Sequence, residues 1–255
     1  MKNPFYDESF IRKLSIFSKG KIYTIYPLPI ISKGLIIKRA YSLPYGFYGG
    51  FIDSVDNQFL KLISKKFLRL FIYDFENKID VSFLNKKEVF TYILQIPESL
   101  EDLHKNMKKS RYRSIKKLIN KQKKLGIEVV EGFELFDKFY ISYANLYSRY
   151  HKIYKKENIL LLKDYLRLLN VVLGNTYLGG ILILKLKNYA LLWLSGYYEF
   201  ESFSIGEFLF YISAKWAIEN KIEFLDFGLE TTSSVGYIKS SFGTIKYRYN
   251  VYFKI

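Results

Sequence analysis

Ile222-Glu-Phe-Leu-Asp-Phe-Gly228, followed by Gly236-Tyr-Ile-Lys239 and then Phe242-Gly243, is the stretch whose reading decides the fold. A short apolar run closed by an acid and a glycine reads as a strand buried on both faces. The next residues, Ser233–Ser241, read as a short helical turn. Open α/β sheets take their ligands beyond the carboxyl ends of their strands. Asp226, at such an end, and Lys239, on the turn after it, are therefore expected to meet in one region.

Outward from that stretch, a helix is expected over about Ile205–Asn220, with Leu209, Ile212, Trp216 and Ile218 facing inward. Before it, Thr176–Leu184 and Tyr189–Tyr198 read as a hairpin across Lys185–Asn188. Two helices are expected around Phe136–Lys152 and Leu160–Leu173, preceded by a strand at Ile127–Glu131. After it, the chain alternates from Ile245 to Ile255 as a last strand.

The first half reads as strands and turns, then one long helix. Ile22–Ile31 and Leu35–Tyr41 are β-rich runs split by Ser32-Lys33-Gly34, and Phe67–Phe75 and Phe90–Ile96 are further strands. Between them lies Ser42-Leu-Pro-Tyr-Gly-Phe-Tyr-Gly-Gly50, whose glycines permit close backbone approach. Tyr45, Gly49 and Gly50 are its candidate substrate contacts, with a plain turn as the alternative. A helix opened by Pro97-Glu98-Ser99 is expected to run unbroken to Leu125, where Gly126 stops it. The division near Gly126 predicts two packed mixed α/β lobes, 1–125 and 126–255, meeting near residues 126–128 and joined by this helix.

Charge is concentrated on that helix. The formal charge is +16, yet Lys105–Lys124 alone holds ten Lys or Arg and no acid. Without those ten, 30 basic residues face 24 acidic ones, so most of the excess is one local patch. Arg111 and Arg113 are its candidate phosphate ligands, since the planar guanidinium matches phosphate geometry. A solvated helix face is the alternative.

Composition narrows the rest. Hydrophobic residues at 49% and charged residues at 25% are the balance of a globular chain. Without cysteine there is neither a disulfide frame nor thiolate chemistry, and a cytoplasmic setting is expected. The most apolar stretch, Tyr177–Leu194, is broken by Lys185, Lys187 and Asn188. No spanning helix is expected, although contact with the inner face of a membrane is compatible with the charge. His104 and His151 lack metal-ligand spacing, so no metal is expected. Phosphate loops, serine elbows and dinucleotide fingerprints are absent.

Three segments resemble the Fem family of aminoacyl transferases, within the GNAT superfamily. Ser42-Leu-Pro-Tyr-Gly-Phe-Tyr-Gly-Gly50 is similar to that family's S-x-P … G-G turn. Lys109-Ser-Arg-Tyr-Arg-Ser-Ile-Lys-Lys117 with Gly126 is similar to its R-x-x-I-R-x-A … G helix. Phe224–Gly228, Gly236–Lys239 and Phe242-Gly243 are similar to its f-D-f-G … G-x-F-K-x-x-F-G run, with Ile238 in place of the phenylalanine. The order of elements in the second half is likewise the GNAT order. The resemblance implies two tandem GNAT-like lobes and transfer of an aminoacyl or acyl group to an amine of a cell-envelope precursor. It implies no permanently bound cofactor; the donor is an aminoacyl-tRNA or an acyl-CoA. The GNAT glycine-rich cofactor run is missing, as Glu201–Gly206 holds one glycine.

Within that resemblance, Lys239 stabilises developing negative charge. Asp226 takes the amine proton, or else caps the turn after it. Tyr237, like Tyr197 and Tyr198, is a candidate proton donor to the leaving group. Aminoacyl-tRNA would lie on the basic helix, whereas acyl-CoA would place its diphosphate on the helix start at Ser204–Gly206. The rival reading is a non-catalytic module that grips RNA or anionic lipid.

Overall fold

A computed structural model describes all residues except 1–2, 35–38, 44–46, 149–152, 202 and 230–231. The architecture is mixed α/β, with two compact units. The first comprises Met1–Phe90, Glu157–Asp164 and Tyr247–Ile255; the second comprises Thr91–Lys156 and Tyr165–Lys246. These units divide the chain differently from the expected cut at 125/126. The basic helix falls in the second unit, and the last nine residues return to the first.

In the first unit the strands β1 (Lys21–Thr24), β2 (Ile30–Lys33), β3 (Arg39–Ser42), β4 (Arg69–Asp74) and β11 (Ile245–Lys254) are neighbours in that order. Only β3 and β4 run parallel. The expected strand Ile22–Ile31 is thus two strands paired with each other, and Ser32-Lys33 belongs to β2 rather than to a turn. Helices α1 (Glu8–Phe17) and α2 (Asn57–Lys66) were not expected from sequence. Each is opened by an aspartate: Asp7 accepts from the Phe10 amide, and Asp56 accepts from those of Gln58 and Phe59. Leu60 and Ile63 of α2 pack with Phe51, Leu70, Ile72 and Tyr252 in the core of this unit.

The glycine turn of this unit is a packing device. A side chain on Gly49 would meet Ser42 Oγ at 2.2 Å, and Gly50 sits at φ +111°. Ser42 Oγ in turn accepts from the Tyr73 amide at 3.0 Å, and Asn3 Nδ2 donates to the Gly49 carbonyl at 2.7 Å. Tyr45 lies outside the described residues.

In the second unit, which takes the Thr91–Gln95 end of β5 (Asn85–Gln95), the order is β5, β10 (Phe224–Leu229), β9 (Tyr189–Tyr197), β8 (Thr176–Leu186), β7 (Leu166–Leu173) and β6 (Ile127–Glu131). Here the parallel pair is β9 with β10. β7 replaces most of the helix expected at Leu160–Leu173. Its sequence is leucine-rich, but its two edges pair with β6 and β8 and both of its faces are buried, so that only Arg167 and Leu173 escape full burial. Of the expected range, only Leu160, the last residue of the short α6 (Lys156–Leu160), and a single 3₁₀ turn at Lys163–Tyr165 are helical.

The long helix expected from Ser99 to Leu125 is two helices, α3 (Leu100–Asn106) and α4 (Lys109–Leu125). Met107 and Lys108 are extended, and the Lys108 amide leaves the helix to donate to the Ser241 carbonyl at 2.9 Å. Helices α5 (Phe136–Tyr147), α7 (Ile205–Glu219) and α8 (Ser233–Ser240) complete the unit. Its core joins Ile115 and Leu118 of α4 to Phe208, Ile212 and Trp216 of α7 and to Leu192, Leu225 and Phe227 of the sheet.

Candidate active site

The carboxyl end of β10 is shaped by a strand separation. β9 and β10 pair over Phe224–Asp226 with Tyr189–Leu191 and then part. A bulge in β9 accompanies the parting: Leu182 faces Leu194 while Ile183 faces Leu192, so Trp193 stands opposite no residue of β8. The Trp193 ring is half-buried and stacks on Tyr154 at 5.7 Å. Gly228, at φ +78°, turns β10 away, with its α-carbon face toward the Leu192 carbonyl.

Asp226 holds this turn. It is fully buried, and its carboxylate accepts from Thr91 Oγ1 at 2.5 Å, Tyr189 Oη at 2.6 Å and the Gly228 amide at 2.7 Å. The bond to Gly228, two residues on, is the turn-capping geometry. A carboxylate so enclosed binds strands β5, β9 and β10 together and does not face solvent.

Lys239 reaches the same strand end from α8. It is only 6% exposed, not the solvated lysine that a short surface helix would suggest. Its Nζ donates to the Gly228 carbonyl at 3.0 Å and to that of Leu229 at 2.8 Å. The expected meeting of Asp226 and Lys239 thus occurs through Gly228: the carboxylate takes its N–H and the ammonium its carbonyl. Tyr237, two positions earlier on α8, points elsewhere. It is 56% exposed and lies under the Lys108 ammonium at 4.9 Å. Positions two apart on a helix face different sides, so Tyr237 is not brought to Lys239. Tyr197 does lie at the parted strand, and burial raises its pKa, with Tyr147 and Glu199 adding to the effect, so it stays a neutral phenol.

Arg111 is not a free phosphate ligand. It is 8% exposed, pairs through Nη1 with Glu207 at 2.5 Å and donates from Nε to Ser241 Oγ at 2.7 Å. Its guanidinium also lies 5.6 Å from the Phe242 ring centre. A side chain on Gly243 would meet the Asn106 carbonyl at 2.7 Å. Two segments read separately in the sequence, 109–117 and 236–243, are therefore parts of one joint, which fixes the end of the lysine-bearing helix against the start of α4. Arg113 is exposed with no ion pair among the described residues, as a phosphate ligand requires.

At the start of α7, Ser204 is exposed and makes no side-chain cap bond. Gly206 carries no side chain because the Tyr197 ring lies over it, 3.1 Å from the position a β-carbon would take. Glu207 occupies the first turn, and Glu199 and Glu201 are exposed just before it. Acids at a helix start offset the positive end that would attract a diphosphate. No metal-binding group of three or more His, Cys, Asp or Glu occurs among the described residues, and no described helix is long and apolar enough to cross a membrane. The bulge, the joint at Ser241 and the burial of Lys239 left no mark in the sequence beyond the glycines themselves.

Known proteins share this fold. The acetyltransferase (GNAT) domain profile matches residues 105–234, just over half of the 255. No curated protein matches by sequence. Among solved structures, FemX is similar over 88% of this chain and 83% of its own, with a TM-score of 0.65 at 14% identity. L-PGS from Bacillus licheniformis is similar over 99% and 93%, with a TM-score of 0.69 at 10% identity. The C-terminal domain of a putative lysylphosphatidylglycerol synthetase from Agrobacterium fabrum is similar over 96% and 87%, with a TM-score of 0.62 at 11% identity. The profile spans more than half of the chain, and the chain belongs to the GNAT acetyltransferase-domain family.

Proposed function

We propose that the protein is an N-acyltransferase that moves an aminoacyl or acyl group from an aminoacyl-tRNA or acyl-CoA to an amine of a cell-envelope precursor. The observation that carries this reading is the Lys239 ammonium, buried and fixed where β9 and β10 part. In such a transfer the amine nitrogen attacks the donor carbonyl and an oxyanion forms. The bond to the donor oxygen or sulfur then breaks as the amide forms. The nitrogen gives up one proton and the leaving atom gains one. A fixed positive charge stabilises what exists only in the transition state. Asp226 is a positioning residue in this scheme, because it sets the Gly228 turn on which Lys239 rests.

Between the two donors, the acidic start of α7 and the exposed cations of α4 favour the tRNA form. The name of the A. fabrum protein, a putative lysylphosphatidylglycerol synthetase, supports an aminoacyl rather than a simple acyl group. The rival is a binding module in which Lys239 only staples α8 to β10, and its two carbonyl bonds are the observation in its favour.

Lys239→Met separates them. Single-turnover transfer from mixed aminoacyl-tRNAs and from acetyl-CoA to amine acceptors would be compared for both proteins, alongside their melting temperatures. The expected loss in rate is about 100- to 1000-fold. Two carbonyls also lose their donor, so the variant should be less stable by roughly 1–3 kcal/mol. Wild-type transfer by a folded methionine variant would remove Lys239 from the chemistry. Transfer by neither protein from either donor would favour the binding module.

A further inference from the structure

At one end of the sheet in the first unit, all five strands begin or finish on a cation. Lys33 of β2 is opposite Arg39 of β3, Arg39 is opposite Arg69 of β4, and Lys254 of β11 is opposite Leu70, next to Arg69. Lys21 of β1 is opposite Ser32, next to Lys33. The last turn of α2 adds Lys65 and Lys66 to the same end. Lys254 Nζ donates to the Ser64 carbonyl at 2.8 Å, and Lys66 lies 4.5 Å from the Tyr23 ring, so strand ends and helix end are in contact. Lys21, Lys61, Lys65 and Arg39 are exposed, and none forms an ion pair among the described residues. No acid occurs in Ser9–Ile52, in Asn57–Tyr73 or after Gly243, the stretches that build this end.

Two leucines stand among these cations. Leu62, on the outer face of α2, is 57% exposed, and Leu68, between α2 and β4, is 56% exposed. α4 differs: its exposed face carries Lys109, Arg113, Lys116, Lys117, Lys123 and Lys124 and no exposed large apolar residue. A phosphate backbone asks only for cations. A lipid surface asks for cations around protruding aliphatic groups, which gain by entering the headgroup layer.

We propose that this end of the first unit docks on an anionic lipid surface, with Leu62 and Leu68 entering it and the strand-end cations neutralising headgroup phosphates. The proposal goes beyond the transfer reading, and its test needs neither donor nor acceptor, so the two can fail separately.

The test is flotation of the full chain with vesicles rich in phosphatidylglycerol and with phosphatidylcholine vesicles. Wild type is expected to float with the anionic vesicles in low salt, to be released by high salt, and to ignore the neutral ones. Each cation near the surface contributes about fivefold in affinity, so Lys21→Glu with Lys61→Glu and Lys65→Glu should abolish flotation while the melting temperature holds. Leu62→Ser with Leu68→Ser keeps every charge and should weaken vesicle binding severalfold. Lys116→Glu with Lys117→Glu, on α4, should float like wild type. No wild-type flotation with the anionic vesicles would overturn the proposal, as would unchanged binding by the serine pair. So would tRNA binding that the glutamate triple loses and the serine pair keeps, because the rim would then be a polynucleotide track.

Discussion

At the scale of single residues, Asp74 shows how burial and hydrogen bonding compete. It is fully buried at the end of β4; Oδ2 accepts from the Ile79 amide at 2.7 Å, while Oδ1 has no hydrogen-bond partner among the described residues. Burial raises its pKa above the ordinary carboxylate range. Directly opposite on β11, Asn250 Oδ1 is also buried without a partner. Asp74→Asn keeps an acceptor for Ile79 and supplies an N–H₂ on the side where both oxygens lack one. We expect it to raise stability at neutral pH by roughly 1–3 kcal/mol. The raised pKa fixes the sign of the pH dependence. The ionised carboxylate costs stability above its folded pKa, and that cost disappears as pH falls through it. The gain in melting temperature should therefore be largest near pH 7 and shrink in acid; a gain independent of pH would remove the carboxylate charge as its cause. The glycines were legible as a pattern in the sequence, but their use was not. Gly49 is small because Ser42 Oγ, seven residues earlier in the same turn, folds back against it, and Gly243 because the Asn106 carbonyl does, a contact too distant in sequence to leave a local signal.

At the scale of elements, local pattern identified α7, β10 and the β8–β9 hairpin nearly to their ends because their apolar residues are buried on nearly every side, and β6 as well, although only Ile127 of it is buried. It failed where a long-range bond overrode a local preference. Ser99 to Leu125 has helical spacing throughout, yet the chain breaks at Met107–Lys108 to bond Ser241. β7 has leucines that suit a helix and becomes a strand because β6 and β8 lie on either side. The basic helix was legible as a charge run, but not which cations it keeps for itself. Arg111 serves the fold, so the two roles of α4 predict opposite outcomes. Reversing Lys109, Arg113, Lys116 and Lys117 to glutamate should leave the melting temperature nearly unchanged and flatten the salt dependence of tRNA binding by roughly 0.7 to 0.9 per lost contact. Arg111→Ala should instead destabilise by about 3–5 kcal/mol, since Glu207 is left partly buried and unpaired. Equal melting losses in both variants would mean that the exposed cations are structural as well.

At the scale of the whole molecule, the fold class and the resemblance were legible in the sequence, and the path of the chain between the two units was not. A cut at Gly126 follows a change in local pattern, whereas the compact units follow contacts: residues 157–164 and 247–255 belong with the first ninety. Asp164 pairs with Lys13, and Tyr247 Oη donates to the Phe75 carbonyl at 2.9 Å. The return of residues 247–255 also bears on how the protein is made. While the chain emerges from a ribosome, β4 waits with an open edge and its core lacks Tyr252, which is fully buried, until nearly 180 later residues have been translated. The first unit, though synthesised first, is thus the last to close, and a nascent chain halted before Tyr252 should be cut by protease in α2 and β4 while the helices and strands of the second unit resist.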